Sequence, residues 1–576
     1  MKPLEDARAP ADVRGPAAAE RGGGGDSDPL APNGPRAAGA PEWSAPLTAT
    51  EEILAGLWGE LLAAGRVSAL DTFFTLGGDS LLATRMGFAV RRALGVALPT
   101  AVLFEPWTLR RLAGWIDARR RAGAATEALP PLERAPRGEP MPLTLLQEFY
   151  WLQRLIDPGA GSNMPYALRL RGALEVPALE RALAEVVRRH EALRTTFAAP
   201  GGVPVQVVGA PGPVPILQVD LSHLPPAERE AEAMRLAGHE AARPFDLERG
   251  PLLRTLLLRL DAREWALLVT MDHIVSDGWS MDVMVREVGA LYGAFTQGRT
   301  PSLAEPEVQY GDYAVWQRRW LQGPVLERYA AYWRERLAGA QPLDLGGEGA
   351  GVARASPRQV LGFTLPGSLA GALRTLGGKE GATLFMVLLA AFKALLVRYT
   401  GQEDVTVQVA LAGRRQPELA SVIGFFAQLA LLRTDLAADP RFREAVGRVR
   451  EATLGAYDHQ ELPLVERLGP GVARETAAYR QLFRVEFSLV ATGKEPLVLG
   501  DLSVEALGSA EASPGRTDAL ILAQAGDGLR GAFTYRVDVF PEAVAGRAIR
   551  HYSEILEQVA ADPELRISEL VLSPEP

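Results

Sequence analysis

The spacing of apolar residues changes character several times along the chain. Over residues 1–40 it has no period: 23 positions are Ala, Gly or Pro, and the large apolar residues are Met1, Leu4, Val13 and Leu30. Such a segment buries too little surface to offset its ordering entropy, so a disordered leader or linker is expected over 1–45. Order is expected from Pro46. Thr48 and Glu51 fit a capping box, and Ile53, Leu54, Leu57 and Leu61 recur on one helical face. After a loop from Ser68 to Thr75, Leu82, Met86, Ala89 and Val90 follow Ser80 at helical spacing, and a further helix is expected over about Thr108–Arg120. Residues 46–120 therefore read as a compact all-helical module, large enough to fold alone. The run Arg119-Arg120-Arg121 reads as a solvated helix end. Residues 121–140, with Pro130, Pro131, Pro136 and Pro140, read as a second linker.

From Pro142 onward, strand and helix patterns alternate. Trp265–Met271 is a continuous apolar run, the mark of a buried strand. A polar turn follows from Asp272 to Trp279, and a helix is expected from near Ser280, with Val283, Val288, Leu291 and Phe295 on overlapping faces. Thr383–Val397 reads as a strongly apolar helix and Val405–Ala410 as a strand. The stretch 141–576 is too long for one simple core. Two α/β subdomains are expected, at about 141–325 and about 350–576. The longest apolar stretch, Ala382–Val397, is broken by Lys393 and is shorter than the ~20 residues that span a bilayer. The N-terminus lacks the basic start and apolar core of a signal peptide.

Composition narrows the chemistry. With 47% hydrophobic and 23% charged residues, the 576-residue chain is ordinary globular material. Its formal charge of −9 argues against a nucleic-acid surface. The absence of cysteine excludes disulfides, Cys-ligated metals and a Cys nucleophile. A cytoplasmic multidomain protein is expected, with no metal, nucleic-acid or membrane partner.

Two constellations carry candidate chemistry. In Gly77-Gly78-Asp79-Ser80, a glycine turn delivers a serine to a helix start. A phosphodiester on that hydroxyl would meet free backbone N–H groups and the positive end of the helix dipole. A Ser or Asp helix cap is the commoner use of such residues. A nucleophile elbow is a third reading, but Gly78-Asp79-Ser80-Leu81-Leu82 lacks that motif's final glycine. The second constellation is Met271-Asp272-His273-Ile274-Val275-Ser276-Asp277-Gly278-Trp279. A histidine just beyond a buried strand is a candidate general base, or a satisfied core residue.

The wider segments resemble known families. Asp71-Thr72-Phe73-Phe74-Thr75-Leu76-Gly77-Gly78-Asp79-Ser80-Leu81-Leu82-Ala83, with Leu103-Phe104-Glu105-Pro106-Trp107-Thr108-Leu109, resembles the peptidyl carrier domain of nonribosomal peptide synthetases. The resemblance implies a four-helix bundle whose Ser80 carries a covalent phosphopantetheine arm. The segment at His273 resembles the HHxxxDG motif of condensation domains. Arg189–Phe197, Tyr310–Trp316, Ile423–Phe426 and Ala456–Pro463 match further motifs in family order. This resemblance implies two chloramphenicol-acetyltransferase-like subdomains in a V with a tunnel between them. Epimerisation domains share the histidine motif, but the Tyr310–Trp316 block favours condensation.

The implied reaction joins a donor acyl thioester on one carrier arm to the amine of an acceptor on another, giving an amide. His273 is then the group nearest the amine, as general base, positioning group or both. Asp277 is structural and pairs with an arginine of the second subdomain, for which Arg414 is the candidate. Gly278 keeps the tunnel open where an arm approaches. Asp272 stands where the family has its first histidine; a buried carboxylate there either raises the imidazole pKa or is itself held neutral. Phe149, Gln428 and Gln481 also depart from the family pattern. The implied partners are a phosphopantetheinyl transferase, an adenylation domain or other loading enzyme, and a downstream acceptor carrier. The alternative reading is a non-catalytic condensation-like platform that recruits a partner to the Ser80-bound group.

Overall fold

A computed structural model describes residues 44–64, 67–122, 129–156, 163–345, 358–462, 482–490, 498–507, 517–537 and 540–574. Nearly all of the expected leader, Gln481, Pro463 and part of each expected linker lie outside these residues.

The first module consists of α1 (Ala49–Leu62), α2 (Ser80–Leu94), the single turn α3 (Thr100–Leu103) and α4 (Leu109–Ala122). Thr48 Oγ1 accepts from Glu51 N at 3.1 Å, as a cap should. The reciprocal half of the box is diverted: Glu51 accepts from Leu47 N at 2.8 Å and faces Arg110 Nε at 3.4 Å. Leu54, Trp58, Phe73, Met86, Val90, Phe104, Leu112 and Ile116 fill the core of the bundle.

The next stretch builds β1 (Met141–Pro142), α5 (Leu145–Ile156), β2 (Asn163–Arg171), α6 (Val176–Arg189), β3 (Thr195–Ala198), β4 (Val205–Val208), β5 (Leu217–Asp220), α7 (Pro226–Ala242), β6 (Leu253–Asp261), β7 (Glu264–Asp272), α8 (Gly278–Thr296), α9 (Tyr310–Trp320) and α10 (Gly323–Leu337). β7 is buried on both faces from Ala266 to Asp272, which is why its apolar run does not alternate. α8 starts two residues ahead of the expected Ser280, because Asp277 rather than a later residue is its N-cap.

The last stretch contributes β8 (Arg358–Leu365), α11 (Gly367–Lys379), α12 (Leu384–Thr400), β9 (Asp404–Leu411), β10 (Gln428–Asp435), α13 (Phe442–Asp458), β11 (Val485–Val490), β12 (Ser503–Ala506), β13 (Asp518–Ala525), β14 (Gly528–Arg536) and α14 (Glu542–Ala561). One sheet runs β10-β9-β11-β13-β14-β8, and a small sheet runs β1-β4-β3. The remaining sheet runs β12-β2-β7-β6-β5, so β12 has crossed from the late part of the chain to the edge of the earlier sheet. Ser503 pairs with Arg171 and Ala506 with Leu168, antiparallel. A cut of the sequence into two consecutive subdomains therefore does not separate the two sheets. No single helix among the described residues is long and apolar enough to cross a membrane.

α12 is buried from Leu384 to Leu396, including Lys393. The Lys393 Nζ lies 3.1 Å from Val405 O, 2.5 Å from Leu432 O and 2.8 Å from Thr434 Oγ1, and these bonds tie α12 to β9 and β10. Burial holds its pKa well below the usual lysine value, with Asp404 opposing. Lys393→Ala removes a stem from a close-packed core and strands two buried carbonyls. The expected cost is about 3 kcal/mol, read from urea unfolding followed by tryptophan fluorescence; a loss below about 1 kcal/mol contradicts this account of α12.

Candidate active site and carrier contact

β7 delivers Asp272 and His273 to a short turn, His273–Val275. Asp272 Oδ1 accepts from Ile274 N at 3.0 Å, Ser276 Oγ donates to Asp272 O at 3.2 Å, and Gln147 Nε2 of α5 donates to Ile274 O at 2.9 Å. This web fixes the His273 backbone from three sides. The His273 Nδ1 lies 2.7 Å from Ser276 O. A carbonyl only accepts, so Nδ1 carries the proton and Nε2 is left with its lone pair. The half-buried ring is flanked by Phe425 at 4.6 Å and Tyr150 at 5.9 Å between centroids.

Asp272 is buried, and burial pushes its carboxyl above the usual range, against the Ile274 bond and the charges of Arg154 and His273. Its Oδ2 makes no hydrogen bond among the described residues and lies 3.4 Å from Arg154 Nη2. Asp272 thus holds the turn rather than the imidazole. Phe149 lies in an apolar cluster with Leu146, Ile274, Val275 and Phe425, where a charged residue would be costly. Gln428 is buried and donates to Phe426 O at 3.2 Å, with Oε1 unpaired among the described residues.

Asp277 and Arg414 meet in the interior. Arg414 Nη2 lies 3.1 Å from Asp277 Oδ1 and 3.0 Å from Ser280 Oγ. Its Nη1 donates to Val422 O at 2.6 Å and also to Leu419 O. Asp277 Oδ1 caps α8 at Ser280 N (2.7 Å), while Oδ2 accepts from Phe426 N (3.0 Å) and Ala427 N (3.2 Å). Gly413 has φ +66°, and a Cβ there would lie 1.8 Å from Phe426 O, so only glycine turns the chain tightly enough to send Arg414 inward. Gly278 is exposed, and a Cβ on it would meet no protein atom within 4 Å.

The other matched motifs join the same two halves. Tyr310 donates to Phe425 O at 2.7 Å, and Tyr313 to Glu461 Oε2 at 3.0 Å. His190 Nδ1 accepts from Ile423 N at 3.3 Å, which puts its proton on Nε2, 3.0 Å from Glu287 Oε2. Burial opposes ionisation of Glu287, but the bonds from His190 and Arg189 outweigh it and hold the carboxyl down at about 2. His459 stacks on Tyr332 at 3.8 Å. His190 and His459 are structural in this arrangement.

Ser80 is the first residue of α2, and Asp79 caps the helix by accepting from Leu82 N at 2.7 Å. The capping and attachment readings coexist, because different residues serve them. Ser80 Oγ donates to Thr383 Oγ1 at 3.3 Å, where α12 begins. Tyr457 lies against Ser80; burial pushes its hydroxyl up to about 12, with Ser80 opposing and Asp79 adding. Around this point Phe104 stacks on Tyr457 at 5.3 Å, and Glu105 pairs with Arg450 at 3.1 Å. Arg85 lies over the Trp279 ring at 4.8 Å, and Arg414 lies 5.2 Å from the same ring. Burial raises Asp282 to about 6, against the charges of Arg85 and Arg286. The helical module therefore rests on the α/β body with its serine at the contact.

Sequence reasoning had no means of finding Thr383, Arg450 or the Ser276 carbonyl, and it gave Tyr457, inside the matched Ala456–Pro463 segment, no role. Thr383 looks like an ordinary cap, and a backbone carbonyl leaves no residue-type signature. Gln147 stands two residues before the departure at Phe149.

Comparison with known proteins gives the family. The condensation-domain family matches residues 138–576, and the phosphopantetheine attachment site family matches 52–116. The chain belongs to the condensation-domain family and carries a phosphopantetheine-bearing carrier domain ahead of it, as a carrier–condensation pair of the nonribosomal peptide synthetases. It is 40% identical over 561 residues to one of the linear gramicidin synthase proteins of Brevibacillus parabrevis, matching 93% of this chain and 7% of that protein. The chain thus spans only a small part of that relative. The X-domain in complex with OxyB from teicoplanin biosynthesis superposes with TM-score 0.65 at 32% identity, covering 79% of this chain and all of the X-domain chain. The first condensation domain of the calcium-dependent antibiotic synthetase, solved with a substrate analogue, shares the fold with TM-score 0.65 at 24% identity, covering 76% of this chain and all of that one.

The contact at Ser80 has a direct test. A Cβ built on Gly378 lies 3.5 Å from Thr75 Cγ2 across it, close to disulfide geometry, and the chain has no cysteine to compete. Thr75→Cys with Gly378→Cys should cross-link on mild oxidation, seen as a faster band on a non-reducing gel that each single variant lacks. Failure to cross-link contradicts the contact.

Proposed function

We propose that this chain forms an amide bond between a donor acyl group carried at Ser80 and the amine of an acceptor presented by a second carrier. The observation that carries the reading is the Nδ1–H···O=C bond from His273 to Ser276. It fixes the tautomer whose Nε2 is a proton acceptor at the edge of a turn that Asp277 and Arg414 hold in place. When attached, the arm supplies a terminal thiol that holds the acyl group as a thioester.

Ser80 fits that attachment: it is half-buried at a helix N-terminus, and among the described residues its hydroxyl meets other hydroxyls, those of Thr383 and Tyr457. His273 receives a proton from the attacking amine, with Phe425 and Tyr150 limiting its movement. Exposed Gly278 leaves space beside it. Asp272, Asp277 and Arg414 position the turn and touch no reacting atom. The transferase, the loading enzyme and the acceptor carrier act as partners from outside the chain.

A second reading, a platform that recruits a partner to the Ser80-bound group, is supported by the likeness to the X-domain, whose solved complex contains OxyB. The two readings part at His273. A phosphopantetheinyl transferase should add one arm to the wild type and to His273→Ala, and none to Ser80→Ala, by intact mass. In single-turnover assays with an acceptor, His273→Ala should lower amide formation by about 100-fold or more. Equal amide yield from wild type and variant contradicts the catalytic role of His273, and no amide from the wild type favours the platform.

A further inference from the structure

Residues 129–140 lead into β1 and pass a cleft of about 250 Å³ on the α/β body. Five guanidinium groups line it: Arg134 and Arg137 from that segment, Arg188 and Arg189 from the end of α6, and Arg194 from the turn that follows. Two carboxylates, Glu191 and Glu305, share the lining. Contacts close the ring. The Glu191 oxygens accept from Arg137 Nε at 3.1 and 3.0 Å. Glu305 accepts from Arg188 and lies 3.4 Å from Arg189 Nη1. Gln309 ties the wall together, donating to Arg189 O at 2.8 Å and accepting from Glu191 N at 2.9 Å.

The positive charges of this lining exceed what the protein pairs closely. Acids behind it serve three of the five: Arg137 reaches Asp312 at 2.7 and 3.0 Å, Arg188 reaches Glu185 at 2.9 Å, and Arg189 reaches Glu287 at 2.9 Å. Arg134 and Arg194 differ. Exposed Arg134 donates to the carbonyls of Glu307 at 2.7 Å and Pro306 at 2.9 Å, and makes no ion pair among the described residues. Arg194 is largely buried. Its Nη1 donates to Gly209 O, and its Nη2 lies 3.8 Å from a Glu191 oxygen that already serves Arg137. Its Nε is buried with no partner among the described residues. Burial lowers the Arg194 guanidinium below its usual value, with Glu191 opposing and Arg137 and Arg188 adding to the fall. A largely buried cation with a slack carboxylate and like-charged neighbours is poorly satisfied, and one more anion would relieve it.

Two guanidinium groups without a close carboxylate match a ligand of charge −2. A guanidinium fork fits the paired oxygens of a phosphate, and such bonds are the strong, charge-assisted kind. The volume also fits: at about 30 Å³ for a water in the liquid, the cleft has room for a phosphoryl group and several waters. We propose that it binds a phosphate dianion, as the free ion or as the phosphoryl group of a small phosphate monoester, with Arg134 and Arg194 supplying the unmatched charge. Bound there, the anion bridges the segment arriving from the carrier to the end of α6, and so fixes where the carrier's connection to the body begins. The site shares no residue with those at Ser80 and His273, so it stands whichever reading of them holds.

Calorimetry on the full chain tests this, with inorganic phosphate, methyl phosphate and acetate as probes at about pH 7.5, above a phosphomonoester's second pKa of about 6. Inorganic phosphate should bind at one site per chain, and acetate at least about 10-fold more weakly. Arg194→Gln and Arg134→Gln should each weaken phosphate binding about 10-fold, while Arg249→Gln, at an exposed arginine outside the lining, should leave it unchanged. Methyl phosphate binding as tightly as inorganic phosphate supports the site as one for a monoester; inorganic phosphate binding alone supports the free ion. Hydrogen exchange supplies a second readout. Residues 132–141, which include the Ala135 amide held by Asp312 at 2.8 Å, should exchange more slowly with phosphate in the wild type but not in either cleft variant. If Arg194→Gln does not fold, Arg134→Gln, at its exposed position, carries the test. Absence of phosphate binding, equal binding of acetate, binding that the cleft variants keep, equal weakening by Arg249→Gln, or unchanged exchange over 132–141 overturns the proposal.

Discussion

Arg414 is wholly buried, and Asp277 is the carboxylate that meets its charge. Taking two such charges out of water costs several kcal/mol per ion unless each is hydrogen-bonded. Here the remaining bonds come from both halves of the α/β body: Ser280 from α8, and the backbone of Leu419, Val422, Phe426 and Ala427 from the segment before β10. Asp277 follows His273 by four residues, so the ion pair that joins the halves also sets where the imidazole sits. A pair of this kind specifies one arrangement more than it adds net stability, since a half-satisfied alternative leaves a bare charge in the interior. Tyr310, Tyr313 and His190 then close the same seam with neutral or locally paired bonds.

That seam explains why the motif departures are tolerable. Asp272 keeps the turn by capping Ile274, a task that needs one short acceptor and no second nitrogen. Phe149 packs in the apolar cluster that holds Ile274 and Val275. Neither change touches the Ser276 carbonyl that selects the His273 tautomer. The proposed chemistry rests on backbone geometry that Asp277, Ser280 and Gln147 hold.

Much of this was legible in the sequence, and the remainder had physical reasons to be hidden. The unbroken apolar run before Asp272 marked a two-face buried strand, and the apolar positions after Ser80 marked a helix. The Asp277–Arg414 contact joins residues 137 apart, and family resemblance made Arg414 its candidate where periodicity says nothing of long-range pairs. The crossing of β12 to the earlier sheet carried no local signal, because an edge strand of four residues has too short a pattern to show its partner. The contacts of Ser80 with Thr383 and Tyr457 depend on how two separately folded parts meet.

The carrier contact gives the absence of cysteine its meaning. Every thiol in the proposed chemistry is borrowed, so any acyl thioester found on this protein reports on one place. On the proposed function, the group held at Ser80 leaves as an amide through the site at His273. The most direct measurement of this is mass spectrometry of both partners after the loaded chain meets an amine-bearing acceptor arm. The expected result is loss of the acyl mass from the Ser80 arm and its gain, as an amide, on the acceptor. Acyl mass that stays at Ser80, or appears only as free carboxylic acid, would contradict it.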